Sequence, residues 1–120
     1  MALNVLGEEL IACSESPMTG YFRNGKCDTC ADDRGMHTIC VQVNDEFLDF
    51  SREKGNDLIT PMPDYHFPGL VKGDFWCLCL QRLIEAYKEG VAPRVKLEAT
   101  HISVSEFVDI EVLREFAAKF

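Results

Sequence analysis

The chain has 120 residues, the size of one folded domain. Its 20 acidic and 12 basic residues give a formal net charge of −8, so its surface repels nucleic acid and anionic membranes. Hydrophobic residues make up 47%, as in globular proteins, and no apolar run reaches the roughly 20 residues that a membrane-spanning helix requires. These properties predict a single domain over residues 1–120, with neither nucleic acid nor membrane as a partner.

The N-terminal residues lack the basic start of a signal peptide and reach Glu8 and Glu9 almost at once. We therefore predict a cytoplasmic protein. In a reducing compartment its six cysteines are expected to be thiols, metal ligands or redox centres rather than permanent disulfides.

The first half of the chain predicts two strands and one helix. Residues 3–13 carry apolar side chains typical of a short strand and turn, and residues 36–43 are rich in the β-branched side chains that strands favour. Asn44 or Asp45 caps a helix that runs to about Lys54.

Residues 55–73 predict a long irregular connection, since they contain three prolines and three glycines. Loops of this length are uncommon inside a compact domain and often surround a site.

Two secondary structures fit residues 73–79, which hold the only tryptophan and two of the cysteines. If Asp74 caps a helix, Cys77 and Cys79 lie about 200° apart around its axis and cannot share a ligand. If the stretch is a strand, both sulfurs point to the same side. We favour the helix, because Trp76 continues the helical repeat of the residues that follow.

The last third of the chain predicts two helices and two strands. Residues 80–87 repeat apolar side chains at helical spacing, and Gly90 stops the helix. Strands are predicted over residues 94–100 and 102–108, and Asp109 caps a final helix. The sum is an α+β fold with a small mixed β-sheet, two or three helices and long ordered loops.

Seven short stretches, taken together in their order and spacing, resemble the sequence pattern of a known family. They are Asn-Val-Leu-Gly (4–7), Pro-Met-Thr-Gly-Tyr-Phe-Arg (17–23), His-Thr-Ile-Cys (37–40), Gly-Asn-Asp-Leu (55–58), Phe-Pro-Gly-Leu (67–70), Gly-Asp-Phe-Trp-Cys-Leu-Cys (73–79) and Leu-Glu-Ala-Thr-His (97–101). Together they resemble the small family known as domain of unknown function 2237. The resemblance implies a compact domain, mostly in intracellular proteins, with no assigned activity. Cys30 departs from the family pattern, which counts against any family-wide site that requires it.

The first candidate site binds metal. Cys27, Cys30, His37 and Cys40 offer four soft or borderline ligands, enough for tetrahedral zinc, although their spacing is not that of a standard zinc finger. Buried cysteines also pack as small hydrophobic side chains, and this simpler interpretation is preferred. Zinc is therefore a candidate cofactor only.

The second candidate site is a thiol enzyme centre. Cys77 near a helix start is the nucleophile, His37 or His101 the base, and Asp57 the orienting carboxylate. A cysteine beside Trp and Leu is more often simply packed, and we prefer that interpretation.

The third candidate site is a polar ligand pocket around the long loop. Its candidate residues are Arg23, Asn56, Asp57, Thr60 and Trp76. The simpler interpretation, again preferred, is that the loop side chains form turns and that Arg23 pairs with a carboxylate.

The leading functional prediction is a small-molecule or metal binding module with a cysteine-rich centre. The alternatives are a thiol-dependent enzyme with Cys77 as nucleophile and an acidic protein-interaction module. Both a monomer and a homodimer are compatible with the sequence, whose apolar end, residues 116–120, is expected to dock on the domain or on a second subunit.

Overall fold

The computed structural model describes residues 2–117. In chain order the strands and α-helices of this part are β1 (His37–Gln42), α1 (Asp45–Glu53), β2 (Phe75–Cys79), α2 (Leu80–Lys88), β3 (Arg94–Val95) and α3 (Ile110–Glu115). Short 3₁₀ helices cover Pro63–Tyr65, Leu97–Ala99 and Ile102–Glu106. None of the described helices is long and apolar enough to cross a membrane.

The three strands form one antiparallel sheet in the order β2-β1-β3. The α+β class is therefore confirmed, and the parallel pairing within the described residues is an isolated bridge between Val95 and Ala117. β1 is central, so β2 lies at an edge of the sheet.

The predicted strand and helix of the first half are confirmed as β1 and α1. The Asn44 side chain accepts a hydrogen bond from the backbone N–H of Phe47 at 2.7 Å, which makes Asn44 rather than Asp45 the N-cap. Phe47, Leu48 and Ser51 are the buried residues of α1. Residues 3–13 form isolated bridges instead of a strand.

The preferred helix over residues 73–79 is wrong, because this stretch is strand β2 and the helix begins at Leu80. The Asp74 carboxylate accepts a hydrogen bond from the N–H of Val71 and closes a turn instead of capping a helix. Pairing with β1 buries Trp76 on one face of the sheet and Cys77 on the other. The helical spacing of Trp76 was thus coincidental, since an alternating strand fits the same residues.

The predictions for the C-terminal third are partly wrong. Only Arg94–Val95 of the predicted strand 94–100 pairs with β1, and Ile102–Glu106 is a 3₁₀ helix rather than a strand. The last helix is confirmed, with the Asp109 side chain accepting the N–H of Glu111. The expected docking of the apolar end falls largely on residues 118–120, which lie outside the described residues.

The two faces of the sheet support different kinds of packing. One face joins the main hydrophobic core, where Ile39 and Trp76 pack with Phe47 of α1 and Leu83 of α2. The other face carries a second, smaller cluster made mainly of cysteines. Its members are Cys13, Cys27, Cys40, Cys77 and Ala99.

Candidate functional site

Four cysteines are joined in two disulfides on the second face of the sheet. Cys40 of β1 lies directly opposite Cys77 of β2, so their side chains project from the same face. Cys40 is bonded to Cys13 and Cys77 to Cys27, and both partners come from the irregular segment that covers this face. The expectation that the chain lacks permanent disulfides is therefore wrong for these four residues. The cytoplasmic location on which it rested stays a prediction.

The disulfides remove two of the sequence-based candidate sites. The four predicted zinc ligands are not available as a set, because Cys27 and Cys40 are held in disulfides and Cys30 is exposed. Cys77 is not a free nucleophile, because its sulfur is bonded to Cys27.

A different group of sulfurs lies close together. The Sγ atoms of Cys13, Cys27 and Cys77 are within 4.8 Å of one another and are buried. Zinc binds thiolates, and a disulfide sulfur is not a thiolate. This group therefore fits a metal ion only after the disulfides are reduced.

A cavity of about 280 Å³ with mixed polar and apolar walls lies beside the edge strand β2, and we call it the edge cavity. Its lining residues come from four segments of the chain: Gly20, Tyr21, Arg23, His37, Asn56, Leu58, Trp76, Cys77, Leu78 and Cys79. The loop at its mouth is joined to β2 by the Thr19 hydroxyl, which accepts the N–H of Cys77 at 2.9 Å. Gly20 is required in this loop, since its φ of +99° is left-handed and a Cβ would collide with the Lys26 carbonyl oxygen. Three residues of the predicted ligand pocket, Arg23, Asn56 and Trp76, line this cavity.

Arg23 places an uncompensated positive charge at the edge cavity. Its guanidinium lies 5.3 Å from the centre of the Trp76 ring, and Nη1 donates to the Met18 carbonyl at 3.3 Å. Among the ion pairs of residues 2–117, none involves Arg23, so the predicted pairing with a carboxylate is not formed. The backbone of Arg23 has a φ of +53°, an uncommon conformation for a residue with a side chain.

His37 is held in one orientation by Asp33. The Asp33 carboxylate is fully buried, and its Oδ1 lies 2.7 Å from Nδ1 of the imidazole. Oδ2 accepts the backbone N–H of His37 and the hydroxyl of Thr29, each at 3.0 Å. The ring also packs over Gly35, where an added Cβ would lie 2.8 Å from Cε1. These contacts assign the Nδ1 proton to the Asp33 bond and leave Nε2 available.

Asp33 is expected to make stability acid-sensitive. Burial alone raises the pKa of the Asp33 carboxyl, but the hydrogen bonds from His37 and Thr29 outweigh it, and the net pKa is below the ordinary 3.8. Because the folded pKa is depressed, its stabilisation is complete above the unfolded pKa and is lost as the pH falls through the folded value. Urea unfolding below about pH 4 should therefore show a steeper loss of stability in the native protein than in Asp33→Asn. Parallel curves for the two proteins would contradict this role.

The other predicted site residues have structural partners. Asp57 accepts hydrogen bonds from the N–H groups of Ile59 and Thr60 and from the Thr60 hydroxyl, which also hold its pKa below the usual value. Asp57 and Thr60 therefore form a turn, and neither lines the edge cavity. His101 caps a 3₁₀ helix by accepting the N–H of Ser103, and its Nε2 lies 3.6 Å from Asp28.

Two residues of this region were missed or misassigned by sequence reasoning. Asp33 lies in a polar loop without periodicity, and its spacing of four residues from His37 was the one available signal. Cys79 was considered beside Cys77 but not as the thiol that remains free. In the structure Cys79 is unpaired, partly buried and immediately before α2, and it lines the edge cavity.

The fold and these sites define a small α+β domain with a disulfide-linked centre and a cavity lined by a free thiol. The chain belongs to the family described as "Uncharacterized protein conserved in bacteria (DUF2237)", whose profile matches residues 3–117. This match confirms the resemblance carried by the seven stretches. A comparison with curated proteins found no match.

Proposed function

We propose that the protein is a small-molecule binding module whose ligand occupies the edge cavity and presents an anionic group to Arg23. The observation that carries this proposal is the convergence of Arg23, His37 and Asn56, which are distant in sequence, on one cavity. A volume of about 280 Å³ is at the lower end of the range for small-molecule sites, so the ligand is small.

Charge supports an anion as the bound group. The chain has 20 acidic and 12 basic residues, and Arg23 forms no ion pair within residues 2–117, so it offers a positive charge on a protein that is negative overall. Its planar guanidinium, stacked on Trp76, is suited to bidentate binding of a carboxylate or phosphate.

The Asn56 side-chain amide adds a neutral donor to the charge of Arg23. This amide has no hydrogen bond to the described part of the chain, whereas Nε2 of the neutral His37 ring is an acceptor because Nδ1 carries the proton. The backbone of Asn56 is fixed by Ser51, whose hydroxyl donates to the Asn56 carbonyl at 2.7 Å. The Asn56 side-chain amide therefore lines the cavity from a loop whose backbone is fixed.

Arg23→Gln is expected to weaken binding of small carboxylates about 10- to 100-fold, because a hydrogen bond to a charged group contributes roughly 1.5–3 kcal/mol. The measurement is an amide chemical-shift titration with a panel of small carboxylates and phosphate esters. The native protein should respond at residues 20–23, 56–58 and 76–79.

The matched control is Arg114→Gln, which removes the same charge from α3, an element that contributes nothing to the edge cavity. It should bind as the native protein does. Equal weakening by both substitutions, or no response at the cavity to any member of the panel, would overturn the proposed function.

A further inference from the structure

Cys79 and His37 face each other across the two paired strands. They are directly opposite in the register of β1 and β2, at the end where the pairing becomes irregular. Opposed residues of an antiparallel pair are cross-strand neighbours, so the register makes Cys79 and His37 neighbours at this end of the sheet. Both residues line the edge cavity.

The start of α2 adds a favourable field for an anion at Cys79. Cys79 is the N-cap of this nine-residue helix, and its side chain makes no capping hydrogen bond. The backbone N–H of Leu80 is bonded to the Met36 carbonyl, so it is the helix dipole that favours negative charge at this position. Cys79 therefore lies at the N-terminal end of α2 and opposite His37 in the strand register.

The imidazole of His37 is oriented by Asp33 and lines the edge cavity. Asp33 is buried with no exposed side-chain surface, whereas the His37 side chain is 42% exposed and opens to the cavity. A buried carboxylate on Nδ1 orients the ring, as in triads that activate a thiol or hydroxyl.

We propose that Cys79 is a nucleophilic thiol, that His37 accepts its proton while Asp33 positions His37, and that the substrate is a small disulfide bearing a carboxylate. That the substrate carries a carboxylate rests on the proposed function, in which Arg23 binds this group. Thiol–disulfide exchange requires an accessible thiol and an acceptor for its proton, and Cys79 and His37 both line the edge cavity.

The chemistry balances without another reagent. The Cys79 sulfur forms a bond to one substrate sulfur, and the substrate S–S bond breaks. The departing thiolate takes the proton that His37 had accepted from Cys79. The products are a mixed disulfide on Cys79 and one free small thiol.

The test compares two small disulfides of similar size and opposite charge under non-reducing conditions. The probes are 3,3′-dithiodipropionate, a dianion, and cystamine, a dication. Peptide mass spectrometry follows modification of Cys79 and of Cys30, the exposed free thiol that serves as an internal control. With the dianion, Cys79 should react at least about tenfold faster than Cys30. With cystamine this advantage should shrink because Arg23 repels it, although the net charge of −8 attracts cystamine to the protein as a whole.

A neutral reagent tests the reactivity of Cys79 independently of anion binding at Arg23. With iodoacetamide, Cys79 should again outpace Cys30, and His37→Gln should lower the Cys79 rate towards that of Cys30 without changing the latter. Asp33→Asn should move the pH–rate profile of Cys79 to higher pH, a change that loss of packing alone does not produce. The other ionisable groups at the cavity are Arg23 and Tyr21; the pKa of Tyr21 is raised by desolvation and by Cys30, Asp32 and Asp33.

The outcomes distinguish this inference from the proposed function. Equal rates at Cys79 and Cys30 with iodoacetamide, or an unchanged Cys79 rate in His37→Gln, would overturn the nucleophile while leaving carboxylate binding intact. A fast Cys79 that does not discriminate between dianion and dication would support the nucleophile and overturn the anion site at Arg23.

Discussion

Replacing Cys27 and Cys77 together by alanine is expected to lower the free energy of unfolding by about 4 kcal/mol. The bond joins residues 50 apart, and chain-entropy estimates for a loop of that length give about this value. The Cys13–Cys40 bond spans 27 residues, so its removal should cost slightly less, roughly 3.5 kcal/mol. For a chain of this size, 4 kcal/mol corresponds to a fall in Tm of about 15 °C.

The measurement is urea and thermal unfolding under non-reducing conditions, with Cys30→Ala as the matched control. Cys30 is exposed and unpaired, so its replacement should change stability by less than about 0.5 kcal/mol. The disulfides would be refuted if removing the Cys27–Cys77 pair cost no more than removing Cys30.

An intact-mass thiol count checks the same feature independently. Denatured, unreduced protein should take up alkylating reagent at two cysteines, Cys30 and Cys79. Alkylation of all six would show that the centre is reduced, and zinc content should then be measured because the freed sulfurs of Cys13, Cys27 and Cys77 are close enough to share a metal.

Asn4→Ala is expected to cost about 2–4 kcal/mol, because it leaves buried backbone groups without partners. Asn4 is 1% exposed. Its amide donates to the carbonyls of Glu9 and Glu98, and its Oδ1 accepts the N–H groups of Leu6 and Glu8. One side chain thus fixes the N-terminal turn and ties it to the segment before His101.

Asn24→Ala provides the matched comparison for the second prediction. Asn24 also accepts a backbone N–H, that of Lys26, but it is exposed, so water replaces the lost bond. Its substitution should cost less than about 1 kcal/mol in equilibrium urea unfolding. Similar losses at both positions would contradict the role assigned to the Asn4 network.

Local patterns were sufficient where neighbouring residues determine the structure. Asn44 and Asp109 are helix caps because their side chains reach N–H groups two or three residues away. Phe47 and Leu48 are buried because helical spacing puts them on one face. The α+β class follows from the same short-range signals.

The edge cavity could be predicted only in part. Arg23, Asn56 and Trp76 were named because of residue type, and the structure places them together. Asp57 and Thr60 were named for the same reason, but they form their hydrogen bonds within one turn. Residue type does not distinguish a side chain that a turn satisfies from one that a cavity leaves available.

Composition and local spacing thus determined the domain size, the acidic charge, the helix ends and the set of polar residues from which a site is built. The strand identity of residues 75–79, the partner of each cysteine and the pairing of His37 with Cys79 depended on the chain as a whole. Each requires contact between residues tens of positions apart, and the strand forms because pairing with β1 buries both of its faces. Such long-range contacts leave no periodic trace in the sequence, which is why a disulfide-bonded cysteine, Cys77, was named as the candidate nucleophile.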